Sequence, residues 1–318
     1  MSADAVLWVR EVTKTFGQVR AVDRLSFAVA RGTITGLLGR NGAGKTTTLR
    51  MINGIFLPDA GVIELLGAAD AAAVRDRIGY LPEERGLYRK MRVLDQLLFL
   101  AEIKGQRPAV ARVRAEAWLK RFDLWDKRAG KLEELSKGNQ QKVQLIGTLL
   151  HEPEIVVLDE PFSGLDPLNQ QVFKDVIAEL RAAGKTILFS THIIEQAERA
   201  CDHVCIIAAG DKVLDGRVAD VKREHGSENL AIDLEEPTPA AVAIVRASSE
   251  VREVREDGAV LEAVLNPGAD AQPVLAALVG AGIRLRRFER VEPSLEQIFV
   301  ELVRDTTSRT AEKEVAHV

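Results

Sequence analysis

The chain has 318 residues, of which 46% are hydrophobic and 28% charged, with a formal net charge of −4. That is ordinary for a soluble globular protein long enough for two domains, and it excludes the strong basic field of a nucleic-acid partner. No window approaches the roughly 18 uninterrupted apolar residues of a membrane span, and no N-terminal stretch has the charged-then-apolar pattern of a secretion signal. The expectation is a cytoplasmic chain with no nucleic-acid partner, for which any membrane role needs a separate protein. Its two cysteines, Cys201 and Cys205, give neither a zinc site nor a disulfide framework and read as partly buried thiols in a reducing compartment.

Apolar runs at Leu7–Val12 and Leu25–Val29 predict the first strands. The run Thr33–Leu38 predicts a buried one, and Gly39-Arg40-Asn41-Gly42-Ala43-Gly44-Lys45-Thr46 follows it. Thr46–Asn53 then reads as the first turns of a helix. A strand, a loop of the form G-x-x-x-x-G-K-[ST] and a helix make up a phosphate-binding loop. The glycines let successive N–H groups point inward at phosphate oxygens, and the helix start adds its positive dipole end. Lys45 supplies a point charge for the β and γ phosphates, and Thr46 a hydroxyl for Mg2+. The loop alone therefore predicts binding of a nucleoside triphosphate.

Further strands are predicted at Gly61–Leu65, Ile78–Leu81, Ile155–Leu158, Thr186–Ser190 and Val204–Ala208, the last turning into a hairpin at Gly210–Leu214. Val93–Phe122 and Gln140–Leu150 read as helices, the former a helical insertion. The strand at Ile155 ends in Asp159-Glu160. An aspartate there can hold Mg2+; Glu160, one residue on, points to the other side and can polarise an attacking water. Alternating strands and helices over residues 6 to about 220 predict a mixed α/β domain.

A second unit begins near Asn229. Its order is strand Leu230–Leu234, helix Pro239–Ala247, strand Val251–Glu256, an Asp257-Gly258 turn, strand Val260–Leu265, helix Ala271–Ala281 and strand Arg284–Arg290. Asp-Gly between alternating runs is a hairpin signal, and β-α-β-β-α-β is the order of a small α+β, ferredoxin-like domain. A final helix, Ser294–Val303, starts at Ser294 as N-cap with Gln297 three residues on. The expected division is residues 1–225, 226–304, and a polar tail 305–318. No internal repeat and no second phosphate loop is present.

Leu135-Ser136-Lys137-Gly138-Asn139-Gln140-Gln141, Ser163-Gly164-Leu165-Asp166, and His192 after Ser190-Thr191 complete the pattern. In that order, with the loop and Asp159-Glu160, they resemble the signature motif, D-loop and switch histidine of ABC-type ATPases. The resemblance implies a P-loop NTPase fold, with ATP and Mg2+ as ligands. It implies that Phe16 faces adenine, that residues Gly39, Arg40, Asn41, Gly42, Ala43, Gly44, Lys45, Thr46 and Thr47 hold the phosphates, and that Glu160 and His192 support hydrolysis. Ser136, Lys137, Gly138, Asn139 and Asp166 would then serve the ATP of a second copy, or of a homologous ATPase, in a head-to-tail dimer.

Two positions depart from the family. Glu83, in Tyr80-Leu81-Pro82-Glu83-Glu84-Arg85-Gly86, stands where a glutamine usually touches Mg2+; a carboxylate is a competent ligand, which makes the metal set Thr46, Glu83 and Asp159. Lys137 and Asn139 replace a glycine and a glutamine, and for Lys137 both attraction to the opposing triphosphate and plain solvation fit. Leu81–Tyr88 resembles a subgroup of bacterial export ATPases with a small C-terminal domain, similar to sodium-exporter ATPases. The resemblance implies an ATP-hydrolysing transporter subunit, peripheral on the inner face of the membrane through a permease subunit. The alternative is an ABC-type ATPase acting on DNA or ribosomes.

Overall fold

The computed structural model describes residues 4–84, 86–225, 228–300 and 302. The chain divides into two compact units, Met1–Gly216 and Arg217–Val318. The division falls ahead of the expected residue 225, because the helix Val218–His225 groups with the second unit.

In the first unit, β1 (Ala5–Phe16), β2 (Val19–Ala30) and β4 (Ala60–Leu65) form an antiparallel sheet in the order β2-β1-β4. Both β1 and β2 are longer than their apolar runs suggested. Their polar ends still pair, through Lys14↔Val22 and Phe16↔Val19, and alternation carries the polar side chains outward. The second sheet has the order β5-β6-β7-β3-β8-β9, from β3 (Ile34–Leu38), β5 (Ile78–Leu81), β6 (Ile155–Asp159), β7 (Thr186–Thr191), β8 (His203–Ala208) and β9 (Asp211–Arg217). β3, β6 and β7 are buried at every residue, as continuous apolar runs in a parallel sheet must be. The turn between β8 and β9 puts Ala209 and Gly210 at φ 50° and 87°, the paired positive φ of a tight hairpin.

Helix α1 (Lys45–Ile52) leaves the loop after β3. The single helical insertion expected over Val93–Phe122 is two helices, α2 (Val93–Ile103) and α3 (Pro108–Arg121). The break has a local cause: Gly105 takes φ 74°, ending α2 in the left-handed conformation, and Pro108 occupies the first turn of α3. α4 (Lys137–Leu149) starts earlier than the expected Gln140, because Ser136 caps it with its hydroxyl accepting from Asn139 N at 3.4 Å. α5 (Pro167–Ala182) follows β6, and α6 (Ile194–Ala200) follows β7. No helix among the described residues is long and apolar enough to cross a membrane. Cys205 is buried and Cys201 half-buried, both as free thiols, and burial pushes both thiol pKa values well up.

The second unit opens with α7 (Val218–His225) and continues as β10 (Asn229–Leu234), α8 (Pro239–Ala247), β11 (Val251–Asp257), β12 (Val260–Leu265), α9 (Gln272–Gly280) and β13 (Leu285–Arg290). Its sheet runs β11-β12-β10-β13, antiparallel throughout. This is the ferredoxin-like arrangement, with the hairpin strand β12 set between the two strands joined by α8. Leu230, Ile232, Leu261, Leu265, Val245, Val274 and Leu278 fill its core. Ser294 and Gln297 form the expected reciprocal cap, Ser294 Oγ accepting from Gln297 N at 3.1 Å and Gln297 Oε1 from Ser294 N at 2.9 Å. The helix there is described over 295–300; Val303 and the tail 305–318 lie outside the described residues.

Candidate functional site

Strand order alone assembles the first cluster. β7 lies between β6 and β3, with Asp159 paired to Ser190 and Leu38 to Thr191. The loop after β3, the carboxylates after β6 and the histidine after β7 therefore meet at one edge, outside the carboxyl ends of the strands, where open α/β sheets place their ligands. The loop needs its glycines. A Cβ on Gly39 would sit 2.3 Å from Ile207 O, and one on Gly44 2.3 Å from Ala21 O; Gly44 also takes φ 102° as the cap of α1. No side chain can be added at either place without moving backbone.

Lys45 is 5% exposed. Its Nζ donates to Gly39 O at 2.8 Å and Arg40 O at 3.3 Å. Glu160 Oε1 lies 3.3 Å from the same ammonium, an ion pair without hydrogen-bond geometry. Glu160 Oε2 is 3.0 Å from His192 Nδ1; a carboxylate can only accept, so Nδ1 carries the proton and Nε2 is left for another partner. Thr46 Oγ1 donates to Asp159 Oδ1 at 3.1 Å, and Ser190 Oγ donates to the same oxygen at 2.6 Å. Strict alternation would send Glu160 away from Asp159. Glu160 instead takes φ 47°, which breaks the alternation and lets both carboxylates serve one cluster. A non-glycine residue in that region costs roughly 1–3 kcal/mol and persists only where its surroundings impose it.

Burial holds the Asp159 carboxyl above its usual range, against the hydrogen bonds from Ser190 and Thr46. Partial burial also raises Glu83, helped by repulsion from Asp159 and Glu160 and opposed by Lys45. Three carboxylates thus share a neighbourhood with the Lys45 ammonium and the Arg50 guanidinium. Asp159 Oδ2 is buried with no hydrogen-bond partner among the described residues. An unsatisfied hard oxygen in an electronegative cluster is what a divalent cation would satisfy. The described residues hold no group of three His, Cys, Asp or Glu able to ligate a metal on their own.

The remaining expected residues lie apart from this cluster or on its rim. Arg40 and Asn41 are exposed on the loop, Gly42 with them, while Ala43 is buried and Thr47 half-buried on α1. Phe16, at the end of β1, is 44% exposed and meets Phe56 edge-on at 5.6 Å between centroids. Ser136 and Lys137 are exposed at the start of α4, with Gly138 and Asn139 half-buried behind them. Asp166 caps α5, its Oδ1 accepting from Asn169 N at 2.9 Å. A Cβ on Gly138 would stand 2.8 Å from Asn169 Nδ2, so the starts of α4 and α5 form a second cluster, whose hydrogen bonds are local.

Sequence reasoning overlooked Ser190 as a working residue. Besides donating to Asp159, its hydroxyl accepts from Glu160 N at 3.0 Å and so fixes both acids. Its signal was a hydroxyl closing the apolar run Ile187-Leu188-Phe189, two residues before His192.

Two family models match the chain: one described as ABC transporter over residues 22–163, and one described as the DrrA1-3-like ATP-binding protein C-terminal domain over residues 216–303. The uncharacterized ABC transporter ATP-binding protein YhaQ of Bacillus subtilis (strain 168) is 42% identical over 300 residues, 94% of this chain and 98% of that protein. The daunorubicin resistance ATP-binding protein DrrA3 of Streptomyces coeruleorubidus is 33% identical over 307 residues, 95% of this chain and 97% of its own. A solved structure of an ATP-binding subunit of an ABC transporter superposes with a TM-score of 0.65 at 33% identity, over 69% of this chain and 92% of that one. Likeness of that extent, carried by a chain whose loop, acids and histidine converge on one sheet edge, places it among the ATP-binding, ATP-hydrolysing subunits of ABC transporters.

Proposed function

We propose that the chain powers export through a separate membrane permease from the cytoplasmic face, as one half of an ATP-sandwich dimer. The cluster of Lys45, Thr46, Asp159, Glu160 and His192 carries this reading. Lys45 rests on two loop carbonyls and Glu160; a triphosphate seated in the loop would take over the ammonium and free Glu160 Oε1. Glu160 would then accept the proton of the attacking water, while His192 Nδ1 holds its other oxygen in place. Thr46, Asp159 and Glu83 would hold Mg2+, which neutralises phosphate charge as the terminal phosphoryl group leaves. Phe16 would stack on the base, and Ser136, Lys137, Gly138, Asn139 and Asp166 would meet the ATP of the opposing copy. Export is supported by the drug-resistance relative and by the match of the second unit to its C-terminal domain family.

A general base contributes about 10²–10⁴ in rate. Glu160→Gln keeps the shape of the side chain and the bond to His192, so turnover should fall by that order while equilibrium ATP binding stays within about threefold. Steady-state hydrolysis at the parental rate would remove Glu160 from the chemistry.

A further inference from the structure

One face of α4 carries three buried polar side chains at helical spacing: Gln141, Gln144 and Thr148. In a helix packed against the sheet these are costly unless each finds a partner. Gln141 Nε2 donates to Pro161 O at 2.9 Å, just beyond Glu160. Thr148 Oγ1 approaches Tyr80 O at 3.3 Å. Gln144 Nε2 donates twice, to Pro82 O at 3.1 Å and to Glu84 O at 3.2 Å. Those two carbonyls flank Glu83. One amide group thus pins the backbone on both sides of a single residue, using both of its N–H donors. Farther along, Tyr88 N donates to Gln96 Oε1 at 3.0 Å, so the segment is held at both ends. The charged side chain it presents is exposed and would otherwise be free to turn toward water.

We infer that Gln144 is a positioning residue that keeps Glu83 directed at the divalent cation accompanying the triphosphate. The inference rests on the reading of Glu83 as a cation ligand. A side chain of the same length without donors would leave both carbonyls unsatisfied and release the loop. An apolar residue at 144 would pack well enough on β5, so packing alone does not account for an amide there.

The test uses the full chain as wild type, Gln144→Met, Glu83→Ala and the double variant. The primary readout is the Mg2+ concentration that half-saturates binding of a non-hydrolysable ATP analogue; the second is the split of kcat against KM for ATP. Glu83→Ala should raise the half-saturating Mg2+ at least about tenfold, since losing even an outer-shell partner of a metal costs roughly 10–100-fold in affinity. Gln144→Met should raise it several-fold and lower kcat with KM within about twofold, and the double variant should go no further than Glu83→Ala alone. If the two effects multiply, or Gln144→Met lowers only the melting midpoint, Gln144 does not act through Glu83 and the inference fails by itself. If Glu83→Ala leaves the Mg2+ dependence unchanged, the ligand reading fails and takes the inference with it. Gln144→Asn, which keeps an amide too short to reach both carbonyls, should give the same direction should the methionine variant not fold.

Discussion

His151 illustrates how one residue can set a pH limit far from any chemistry. It is 6% exposed, with Nε2 3.0 Å from Ile78 O and Nδ1 without a partner among the described residues. Burial pulls its pKa down from 6.5 to about 4, against the backbone bond that favours the charged form. Unfolded, the ring takes up a proton below about pH 6.5; folded, it refuses one until about pH 4. Between those values the unfolded state binds more protons, so stability falls as pH falls, by on the order of 3 kcal/mol in all. Glu154, lowered by its bidentate Arg77, loses its contribution only at lower pH. Asp159 and Glu83, raised by burial, act in the opposite sense. Subtraction isolates the histidine. His151→Gln should flatten the loss of urea-unfolding stability between pH 7 and pH 5, and an unchanged slope would mean that the ring is not held neutral. At this scale the sequence was most informative where chemistry demands a fixed spacing: Lys45, Thr46, Asp159 and Glu160 were legible at once. Ser190 and Gln144 were not, because a serine ending a strand and a glutamine in a helix look like ordinary residues until the neighbouring element is known.

At the scale of elements, the packing of α4 on β5 decides whether Gln144 can reach the loop. Gly79 marks that contact. A Cβ there would meet Thr148 O at 2.6 Å and Pro153 Cγ at 2.9 Å, and the first of these is backbone. Gly79→Ala must therefore push α4 away from the strand. Overpacking of this kind costs roughly 1–3 kcal/mol, which should appear as a lowered urea midpoint with the slope unchanged. Because the displaced helix carries Gln144, the half-saturating Mg2+ should rise as well; a lowered midpoint alone would mean that helix and loop move together. The buried strands β3, β6 and β7 were readable because a parallel sheet covered on both faces requires continuous apolar runs. The ends of β1 and β2 escaped notice, since a polar run such as Lys14-Thr15 pairs as strand only once Asp59 is nearby to accept from the Lys14 ammonium and the Thr15 amide. The break between α2 and α3 was visible in Gly105 and Pro108, but a helix-forming stretch on either side outweighed it.

Across the whole molecule, the β-α-β-β-α-β order of the second unit was legible from its Asp-Gly turn and alternating runs. Its sheet order came with that ferredoxin-like reading, because each crossover leaves room for one strand between the two that it joins. The site is a different case. Sequence order lists the phosphate loop, Ser136, Asp159 and His192 without saying which belong to one pocket. The structure joins the loop, the acids and His192, and sets the starts of α4 and α5 apart as a second, exposed cluster around Ser136 and Asp166. In the dimer proposed here the second cluster completes the pocket of the opposite copy, supplying a hydroxyl and a helix start to its phosphates. Nucleotide then acts as the adhesive between copies, and a slow variant should trap the closed state. With ATP and Mg2+, the full chain carrying Glu160→Gln should show about twice its nucleotide-free mass by light scattering, because ligand that binds only the assembled form drives assembly by mass action. Adding Ser136→Arg places a bulky cation at the seam but leaves the chain's own loop untouched. It should hold the mass at the monomer value while ATP affinity changes by less than about tenfold, equivalent to 1.4 kcal/mol. Adding Lys45→Ala should abolish the dimer for the other reason, by weakening nucleotide binding itself. A Ser136→Arg chain that still doubles in mass with ATP would show that the copies do not complete one another's pockets through α4.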